Sequence, residues 1–486
     1  MSEKKSILDH YPDYKVDIGI EVHVQLNTKT KIFCSCSNDQ TEVPNSHICP
    51  VCVGHPGTLP VLNKEVLNSA IKAALATHSI IAKTSTFARK HYFYPDLPKG
   101  YQTTQDKEPI CSEGHVMIPR EDGTEKKIRL IRIHMEEDAG KNIHAQGSDE
   151  SFVDYNRAGT PLIEVVSYPD IESIEEAKAY LKTLRLIVQY LGISTGNMEE
   201  GSFRADTNIS VRKKKCSTLG TRCELKNINS FKFIGDAIEY EMGRQIELLE
   251  AGERVIQQTR LWDTKRHISV PMRSKEDAAD YRYFQDPDLP TINISDAWID
   301  QVKAELSESP VQKKARLQAA YGLNAYEADI LIEDVPLCNY FETAAHITKE
   351  KQLINWVLRD LMGYLKESKE ALDQCKVTPE RLANLVNLVA QGTINVRVAQ
   401  EIFLEIAQTG KNPSDIVKEK GLEQIGDASE LEAIVQDIIA SNPESVAHYK
   451  AGKAQLFGFF VGQAMQRTKG KGNPKIISDL VKKHLS

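Results

Sequence analysis

The sequence predicts an α+β protein, in which a largely antiparallel sheet shaped as a polar cradle is followed by helices alone. Its first half alternates apolar and polar residues with the period of two that half-buried strands have, whereas residues 297–408 follow the helical period almost throughout. At 486 residues the chain is too long for one ordinary hydrophobic core. We therefore expect three domains: the cradle over residues 1–295, a helical domain over 296–409 and a small helical tail domain over 410–486.

Polar side chains recur on one face of the predicted strands. The alternation is clearest in four segments: residues 16–26, 131–138, 162–166 and 203–211. In the first segment Glu21 and His23 share a face, and in the fourth Arg204 and Asp206 do so. For any one segment, the solvated face of an antiparallel sheet is the simpler explanation. Four such segments in one chain favour a sheet whose polar face cradles a reaction.

Glu164 is the most informative residue of this face, because apolar residues flank its carboxylate on both sides. Burying a carboxylate is unfavourable unless a cation or hydrogen-bond donors compensate it. Oxygen-rich clusters with one imidazole suit Mg²⁺, which takes one or two carboxylates and completes its shell with water and substrate phosphates. The sequence therefore predicts a magnesium site among these strands.

The helices and breaks give the domain limits. Ser173 and Glu176 have the spacing of a capping box, and the helix that they open ends at Gly192. Two prolines in residues 286–290 predict a boundary between the cradle and the helical domain. Residues 410–414 interrupt the helical period a second time, which sets the start of the tail.

Four cysteines lie close together near the N-terminus. Cys34 and Cys36 form a C-x-C pair, and Cys49 and Cys52 form a C-x-x-C pair after a gap of twelve residues. Paired thiolates at such spacing are typical of a tetrahedral structural zinc site, in which the metal closes a loop with little core of its own. We expect a zinc knuckle over residues 34–52. A metal-free knuckle with reduced thiols is the alternative.

Composition places the protein among soluble globular chains, with 41% hydrophobic and 27% charged residues. No apolar run approaches the roughly 18 residues of a membrane span, and no hydrophobic signal segment follows the N-terminus. Nine cysteines, an odd number, suggest reduced thiols. We therefore expect a cytoplasmic protein that does not enter a membrane, and we disfavour disulfides between the paired cysteines.

Basic residues concentrate at the C-terminal end, although the net charge of the chain is −7. From Lys450 to Ser486 there are eight basic residues and one acidic residue. The central part of this excess lies between two predicted helices, at Arg467, Lys469, Lys471 and Lys475. Such a loop is typical of contact with a phosphate backbone, and a solvated surface loop is equally compatible with the charge alone.

Common nucleotide motifs are absent from the sequence. It has no phosphate-binding P-loop, no G-x-G-x-x-G fingerprint and no G-x-S-x-G elbow. Any nucleotide must therefore be held by the cradle itself. Residues 89–101 mix cations with aromatic residues in a loop broken by prolines, which suits a phosphate and a base, although a lone segment of this kind is more often a surface loop.

Seven ordered motifs can be compared with a known family. They are residues 21–23, 92–99, 134–141, 156–164, 198–202, 226–230 and 280–284. Together they closely resemble the B subunits of the tRNA-dependent amidotransferases, and the resemblance covers essentially the whole chain, including the basic end. Two positions depart from the family pattern: Gln285 replaces a usual proline, and Ala279 replaces a common histidine. Both lie outside the acidic residues discussed above.

The resemblance implies a ligase that forms a carbon–nitrogen bond with glutamine as amido donor. Such proteins convert misacylated Glu-tRNA(Gln), Asp-tRNA(Asn) or both to Gln-tRNA(Gln) and Asn-tRNA(Asn). They activate the side-chain carboxylate with ATP as an acyl phosphate, and ammonia then displaces the phosphate. By role, the resemblance implies His23, Glu137 and Glu164 as Mg²⁺ ligands, Glu21 and Asp206 as further catalytic residues, and Arg89, Lys99 and Arg204 as candidate phosphate contacts.

The resemblance also implies partners. The chain shows no Ser-Ser-Lys arrangement of an amidase, so ammonia is expected from an amidase-fold glutaminase, the A subunit, with a small C subunit for tethering. A competing hypothesis makes the chain a non-catalytic, zinc-containing scaffold that binds tRNA while a partner performs the chemistry. It predicts that activity survives loss of the acidic cluster. A third hypothesis is an autonomous ligase that uses free ammonia or a glutaminase site of its own.

Overall fold

The fold is taken from a computed structural model, which describes residues 6–144, 150–272, 281–422, 428–451, 453–468 and 472–485. The chain divides into two compact units, Met1–Pro310 and Val311–Ser486. The first unit contains all the described strands, and the second is helical. The α+β class predicted from the sequence is confirmed.

The strands, in chain order, are β1 (Tyr14–Gln25), β2 (Ile80–Ile81), β3 (Thr84–Ser85), β4 (Ala88–His91), β5 (Tyr101–Thr104), β6 (Cys111–Ser112), β7 (His115–Pro119), β8 (Glu125–Glu137), β9 (Lys141–His144), β10 (Ser151–Asp154), β11 (Pro161–Ser167), β12 (Phe203–Lys213), β13 (Cys223–Ile228), β14 (Gln258–Asp263), β15 (Ile268–Pro271), β16 (Phe284–Gln285) and β17 (Ile292–Asn293). The helices of the first unit are α1 (Ile7–His10), α2 (Lys64–Ala76), α3 (Ile174–Tyr190), α4 (Phe231–Glu250) and α5 (Asp296–Ala304).

One large sheet organises the first unit. Its described strands follow the order β15-β14-β13-β12-β1-β11-β8-β6-β2, and β7 also pairs with β8. Neighbouring strands are antiparallel except β13 and β14, which are parallel. The longest strands, β1, β8 and β12, lie at or near the centre of the sheet. The four segments with the clearest alternation lie on β1, β8, β11 and β12 and are therefore confirmed as strands of this sheet.

The two faces of the sheet differ as the alternation requires. On β1, Val22 and Val24 are fully buried, whereas Glu21 and His23, which alternate with them, are partly exposed. The apolar face belongs to a core to which α2, α3 and α4 contribute. The opposite face carries polar side chains along the central strands, partly exposed on β1 and buried at His134 and Glu136 of β8.

Helix α3 begins and ends where its sequence predicts. The Ser173 hydroxyl accepts a hydrogen bond from the Glu176 amide at 3.1 Å, and Gly192 follows the helix with φ of +68°. The second half of the predicted capping box differs, because the Glu176 carboxylate accepts from the amide of Glu172 instead of that of Ser173. Lys126 also pairs with Glu176 at 2.7 Å, which ties the start of the helix to β8.

The helices of the second unit are α6 (Pro310–Tyr321), α7 (Ala325–Glu333), α8 (Val335–Ile347), α9 (Leu353–Asn355), a π-helical turn (Trp356–Leu361), α10 (Met362–Ser368), α11 (Pro379–Ala390), α12 (Val396–Thr409), α13 (Pro413–Lys420), α14 (Ala428–Ser441), α15 (Pro443–Lys450), α16 (Leu456–Arg467) and α17 (Pro474–Leu485). Helices α14, α16 and α17 share a separate hydrophobic core. Within the described residues, no helix combines the length and apolar character that crossing a bilayer requires.

The limits of the compact units differ from the predicted domain limits. The segment with two prolines does not separate units, since Asp286 and Leu289 within it are buried. Helix α5 packs against α2 in the first unit, where the Trp298 indole donates to Asn68. Near the second predicted limit, α12 does end at Gly410, but α13 beyond it packs on α11 and α12.

Candidate active site

Three adjacent strands of the sheet bring two carboxylates and an imidazole together on the polar face. His23 on β1 lies opposite Glu164 on β11, and Glu164 lies opposite His134 on β8. Glu136 follows His134 by two residues and therefore points to the same face. One ligand atom from each of His23, Glu136 and Glu164 lies within 4.8 Å of the others.

The imidazole of His23 lies between the two carboxylates. Its Nε2 is 3.5 Å from Oε1 of Glu136 and 3.5 Å from Oε2 of Glu164. The second oxygen of Glu136, Oε2, accepts a hydrogen bond from the hydroxyl of Thr104 at 3.3 Å. The donor set is thus one nitrogen and carboxylate oxygens, which is the set that suits a hard divalent cation.

Burial and charge act in opposite directions on this cluster. Burial alone opposes ionisation of Glu164, but the imidazoles of His134 and His23 and the ammonium of Lys90 outweigh it, so the pKa of Glu164 lies below its usual range. Burial likewise opposes protonation of His134, but the charges of Glu164 and Glu136 raise its pKa to about 9. Nearby positive charge is therefore what keeps Glu164 ionised inside the protein.

Polar residues of β12 and β13 extend the site on its other side. Glu21 accepts a hydrogen bond from the side chain of Asn208 at 3.0 Å, and Asp206 pairs with Lys226 at 2.9 Å. Burial, the Glu164 charge and further nearby carboxylates raise the pKa of Glu21. Arg204 lies opposite His23, and its guanidinium donates to Asp138 at 3.0 Å. The structure thus brings Glu21, Asp206 and Arg204 to the same polar face as His23 and Glu164.

Glu137, which the resemblance implies as a ligand, is adjacent in sequence to Glu136, the carboxylate whose oxygen lies within 4.8 Å of ligand atoms of His23 and Glu164. In the alternation of β8, Glu137 shares the side of the buried Ile133 and Met135. One of its oxygens accepts a hydrogen bond from the amide of Thr103 at 2.8 Å and pairs with the ammonium of Lys99. Among the described residues, Glu137 is not part of the group of His23, Glu136 and Glu164 that could hold a metal ion.

Arg89 is also engaged by carboxylates. Its guanidinium binds Asp286 in a bidentate manner at 3.0 and 3.1 Å and Asp288 at 2.7 Å. It stacks over the ring of Tyr101 at 4.4 Å. Arg89, Lys99 and Glu137 line one cleft of about 210 Å³. The positive charge of both cations is therefore compensated by neighbouring acids, unlike that of a free phosphate-binding residue.

The four cysteines predicted to bind zinc form a second cluster. The sulfurs of Cys34, Cys36, Cys49 and Cys52 all lie within 4.8 Å of one another. A tetrahedral zinc site with Zn–S bonds of about 2.3 Å needs sulfurs roughly 3.8 Å apart. Residues 37–51, all of which the structure describes, include no buried side chain. The geometry is compatible with zinc, and the loop has little core of its own.

One thiol of this cluster favours the thiolate form. Hydrogen bonding from the Cys34 thiol, together with the Cys49 backbone and the charge of Lys31, lowers the pKa of Cys52 to about 5. Lys31 is fully buried, and its ammonium lies 3.7 Å from the Cys52 sulfur. The protein therefore supplies one ready anionic ligand for a metal.

The predicted tRNA-binding residues lie at the end of the second unit. Arg467 ends α16 and pairs with Asp437, and Lys475 is an exposed residue in the first turn of α17. Lys469 and Lys471 lie outside the described residues. Arg467 and Lys475 therefore lie at the ends of two described helices, and the charge of Arg467 is partly compensated by Asp437.

Comparison with known proteins agrees with this arrangement. Residues 16–300 match the family model described as the GatB/GatE catalytic domain, and residues 339–485 match a model described as a GatB domain. The chain is 50% identical to an aspartyl/glutamyl-tRNA(Asn/Gln) amidotransferase B subunit of Myxococcus xanthus, over 97% of this chain and 99% of the relative. A protein of the same name from Geotalea daltonii is 51% identical over the same shares. Since both the cradle and the helical region match, and the identity extends over nearly the full length, this chain belongs to the GatB family of amidotransferase B subunits.

Proposed function

We propose that this chain amidates misacylated Glu-tRNA(Gln), Asp-tRNA(Asn) or both, as the B subunit of an amidotransferase. The γ-phosphoryl group of ATP passes to the side-chain carboxylate of the aminoacyl group, which gives an acyl phosphate and ADP. Ammonia then attacks the acyl carbon, and phosphate leaves. The observation that supports this function best is the cluster of His23, Glu136 and Glu164 on the polar face of the central strands.

The cluster fits Mg²⁺ by the chemistry of its donors. Nε2 of His23 and one oxygen each of Glu136 and Glu164 would hold the ion, which leaves room in its shell for water and phosphate oxygens. When bound, the ion neutralises charge on the transferred phosphoryl group. Phosphoryl transfer needs little covalent help from the protein, so the remaining task of the cradle is to position ATP and the aminoacyl end of the tRNA.

The other polar residues of the cradle take supporting roles in this proposal. Glu21 and Asp206 lie on the same face as the cluster and are candidates for contact with water or the aminoacyl group. Arg204, with its side chain 34% exposed, can still reach a phosphate while it holds Asp138. Arg89 and Lys99 would contact phosphate only after exchanging the carboxylates that now bind them. We propose zinc as the metal of the four-cysteine knuckle, in a structural role.

The proposed function predicts a dependence on partners. The chain should support glutamine-dependent amidation only when an amidase-fold glutaminase (the A subunit) is added together with the small C subunit. A concentrated ammonium salt should replace the glutaminase, because this chain needs ammonia and not glutamine. Purified proteins, assayed with both misacylated tRNAs and either nitrogen source, check this. Hydrolysis of glutamine by the isolated chain would contradict it.

We expect the basic tail to bind tRNA apart from the chemistry. Ile416 and Val417 of α13 are buried, so the chain should be cut after Gly421, where α11–α13 remain intact. The shortened protein should bind misacylated tRNA more weakly. The slope of the logarithm of the binding constant against the logarithm of salt concentration should become shallower by about 0.9 for each phosphate that the tail would have neutralised. Binding assays at several salt concentrations measure both quantities.

A control for the truncation comes from the first unit. Affinity for divalent cations should be unchanged in the shortened protein, because the metal cluster lies wholly within residues 1–310. An unchanged tRNA affinity with an unchanged salt slope would show that the tail does not bind tRNA, and a protein partner would then be its better candidate ligand.

A further inference from the structure

A second histidine lies directly behind the metal-binding cluster. The His134 side chain is 3% exposed, and its Nε2 lies 3.0 Å from Oε2 of Glu164 and 3.8 Å from Oε2 of Glu136. The other ring nitrogen, Nδ1, is buried and has no hydrogen-bond partner. Nε2 thus lies near both carboxylates of the cluster but within hydrogen-bond distance of Glu164 alone, and the ring has no other polar contact among the described residues.

The strands leave this ring little freedom. His134 is paired with Glu164 in the antiparallel register of β8 and β11, and its neighbours Ile133 and Met135 are fully buried on the other face. Cross-strand partners have Cβ atoms about 5 Å apart, so the ring and the carboxylate remain neighbours while the strands stay paired. The register therefore favours the 3.0 Å contact between Nε2 and Oε2 of Glu164.

Glu136 divides its oxygens between the protein and the cluster, whereas one oxygen of Glu164, Oε2, faces both His134 and His23. Oε2 of Glu136 accepts from Thr104 and faces His134, whereas Oε1 faces His23. For Glu164, the 3.0 Å contact of Oε2 with Nε2 of His134 restricts the rotation of the carboxylate about its last bond. Partners of this kind, behind the ligands themselves, orient metal-binding side chains and commonly change metal affinity by about 10–100-fold when removed.

We propose that His134 is a positioning residue for the divalent cation of this site: its Nε2–H group orients Glu164, and with Thr104 it restricts Glu136, so that both carboxylates present oxygens toward His23. The inference rests on the proposed function for the presence of the cation and adds a residue that does not itself bind it. The ring acts through its Nε2–H donor, and Nδ1 is not required.

Two amide substitutions separate the two ring nitrogens. The amide nitrogen of glutamine reaches about as far from the backbone as Nε2, whereas that of asparagine reaches only about as far as Nδ1. The full-length chain is titrated with Mn²⁺ alone as the probe, and free Mn²⁺ is followed by electron paramagnetic resonance. We expect His134→Asn to weaken Mn²⁺ binding about 10–100-fold and His134→Gln to keep it within about threefold of wild type.

The matched control is His78→Asn, the same change at an exposed histidine with positive φ, which asparagine tolerates. It should leave Mn²⁺ affinity unchanged. In amidation assays His134→Asn should raise the Mg²⁺ concentration for half-maximal rate, while the rate at saturating Mg²⁺ recovers. A general structural defect would lower the rate at all Mg²⁺ concentrations and would not distinguish glutamine from asparagine.

The outcomes separate this inference from the proposed function. Equal Mn²⁺ affinity in wild type and His134→Asn overturns the positioning role and leaves the metal site intact. Equal weakening of Mn²⁺ binding by His134→Asn and His134→Gln refutes the claim that the ring acts through its Nε2–H donor. If His134→Asn does not fold, a loss of affinity in folded His134→Gln still refutes the inference, and wild-type affinity in that variant supports it. A wild-type chain that binds no Mn²⁺ contradicts the metal site and the inference together.

Discussion

Glu164→Gln is expected to lower the rate of amidation about 10³-fold, while tRNA binding stays within a few fold of wild type. Removing the charge from one metal ligand takes away stabilisation that is needed mainly in the transition state, and about 4 kcal/mol of such stabilisation corresponds to 10³ in rate. Glu136→Gln should have a similar effect. Steady-state kinetics with saturating ATP, together with a tRNA filter-binding assay, measure the two quantities.

Glu125→Gln is the control for this experiment, since it makes the same change at an exposed position on the same strand as Glu136. Glu137→Gln tests whether Glu136 or its neighbour Glu137 acts as the metal ligand, because the structure groups Glu136 with His23 and Glu164. Near-normal turnover of Glu164→Gln at ordinary magnesium concentration would show that the polar face of the cradle does not take part in the reaction. The scaffold hypothesis would then be the better explanation.

Cys49→Ser is expected to abolish metal binding at the knuckle and to lower the Tm of the first unit by about 5–10 °C. The loop exposes its apolar residues, with Val43 63% exposed, so packing cannot replace the metal. In loops of this kind the free energy of metal binding is free energy of folding, and several kcal/mol correspond to such a shift in a large domain. Metal analysis of protein purified without chelator should give about one zinc per wild-type chain.

The matched control is Cys216→Ser, at an exposed cysteine outside the cluster. It should change neither the metal content nor the Tm. A wild-type protein without metal and with undiminished stability would refute a structural zinc site.

Strands and their polar faces could be predicted from the sequence because alternation is a local property. Val22, His23 and Val24 already determine which side of β1 is buried. The same rule could have found Glu136, since Arg132, His134 and Glu136 are the polar positions of their segment and Glu137 breaks the alternation. The resemblance implies Glu137 instead, one residue away, and neighbouring residues of a strand point to opposite faces, so Glu137 as a metal ligand stays a prediction.

Partners distant in sequence could not be predicted in this way. The contacts of Arg89 with Asp286 join residues that are nearly two hundred positions apart, and no local pattern specifies them. The compact unit continues past residues 286–290 to Pro310, and Asp286 within that segment is buried against the same distant arginine. Prolines indicate where regular structure stops, not where a compact unit ends.

The central position of β1 has a consequence for synthesis of the protein. Its partners on either side, β11 and β12, begin at Pro161 and Phe203, so this first long strand is made well before either neighbour exists. At typical ribosome speeds of about 5–20 residues per second, the apolar side of β1 waits roughly 10–40 s for its partners. During that interval the apolar side of β1 has no sheet partner, and the candidate site on β1, β8 and β11 can form only after β11 has been made.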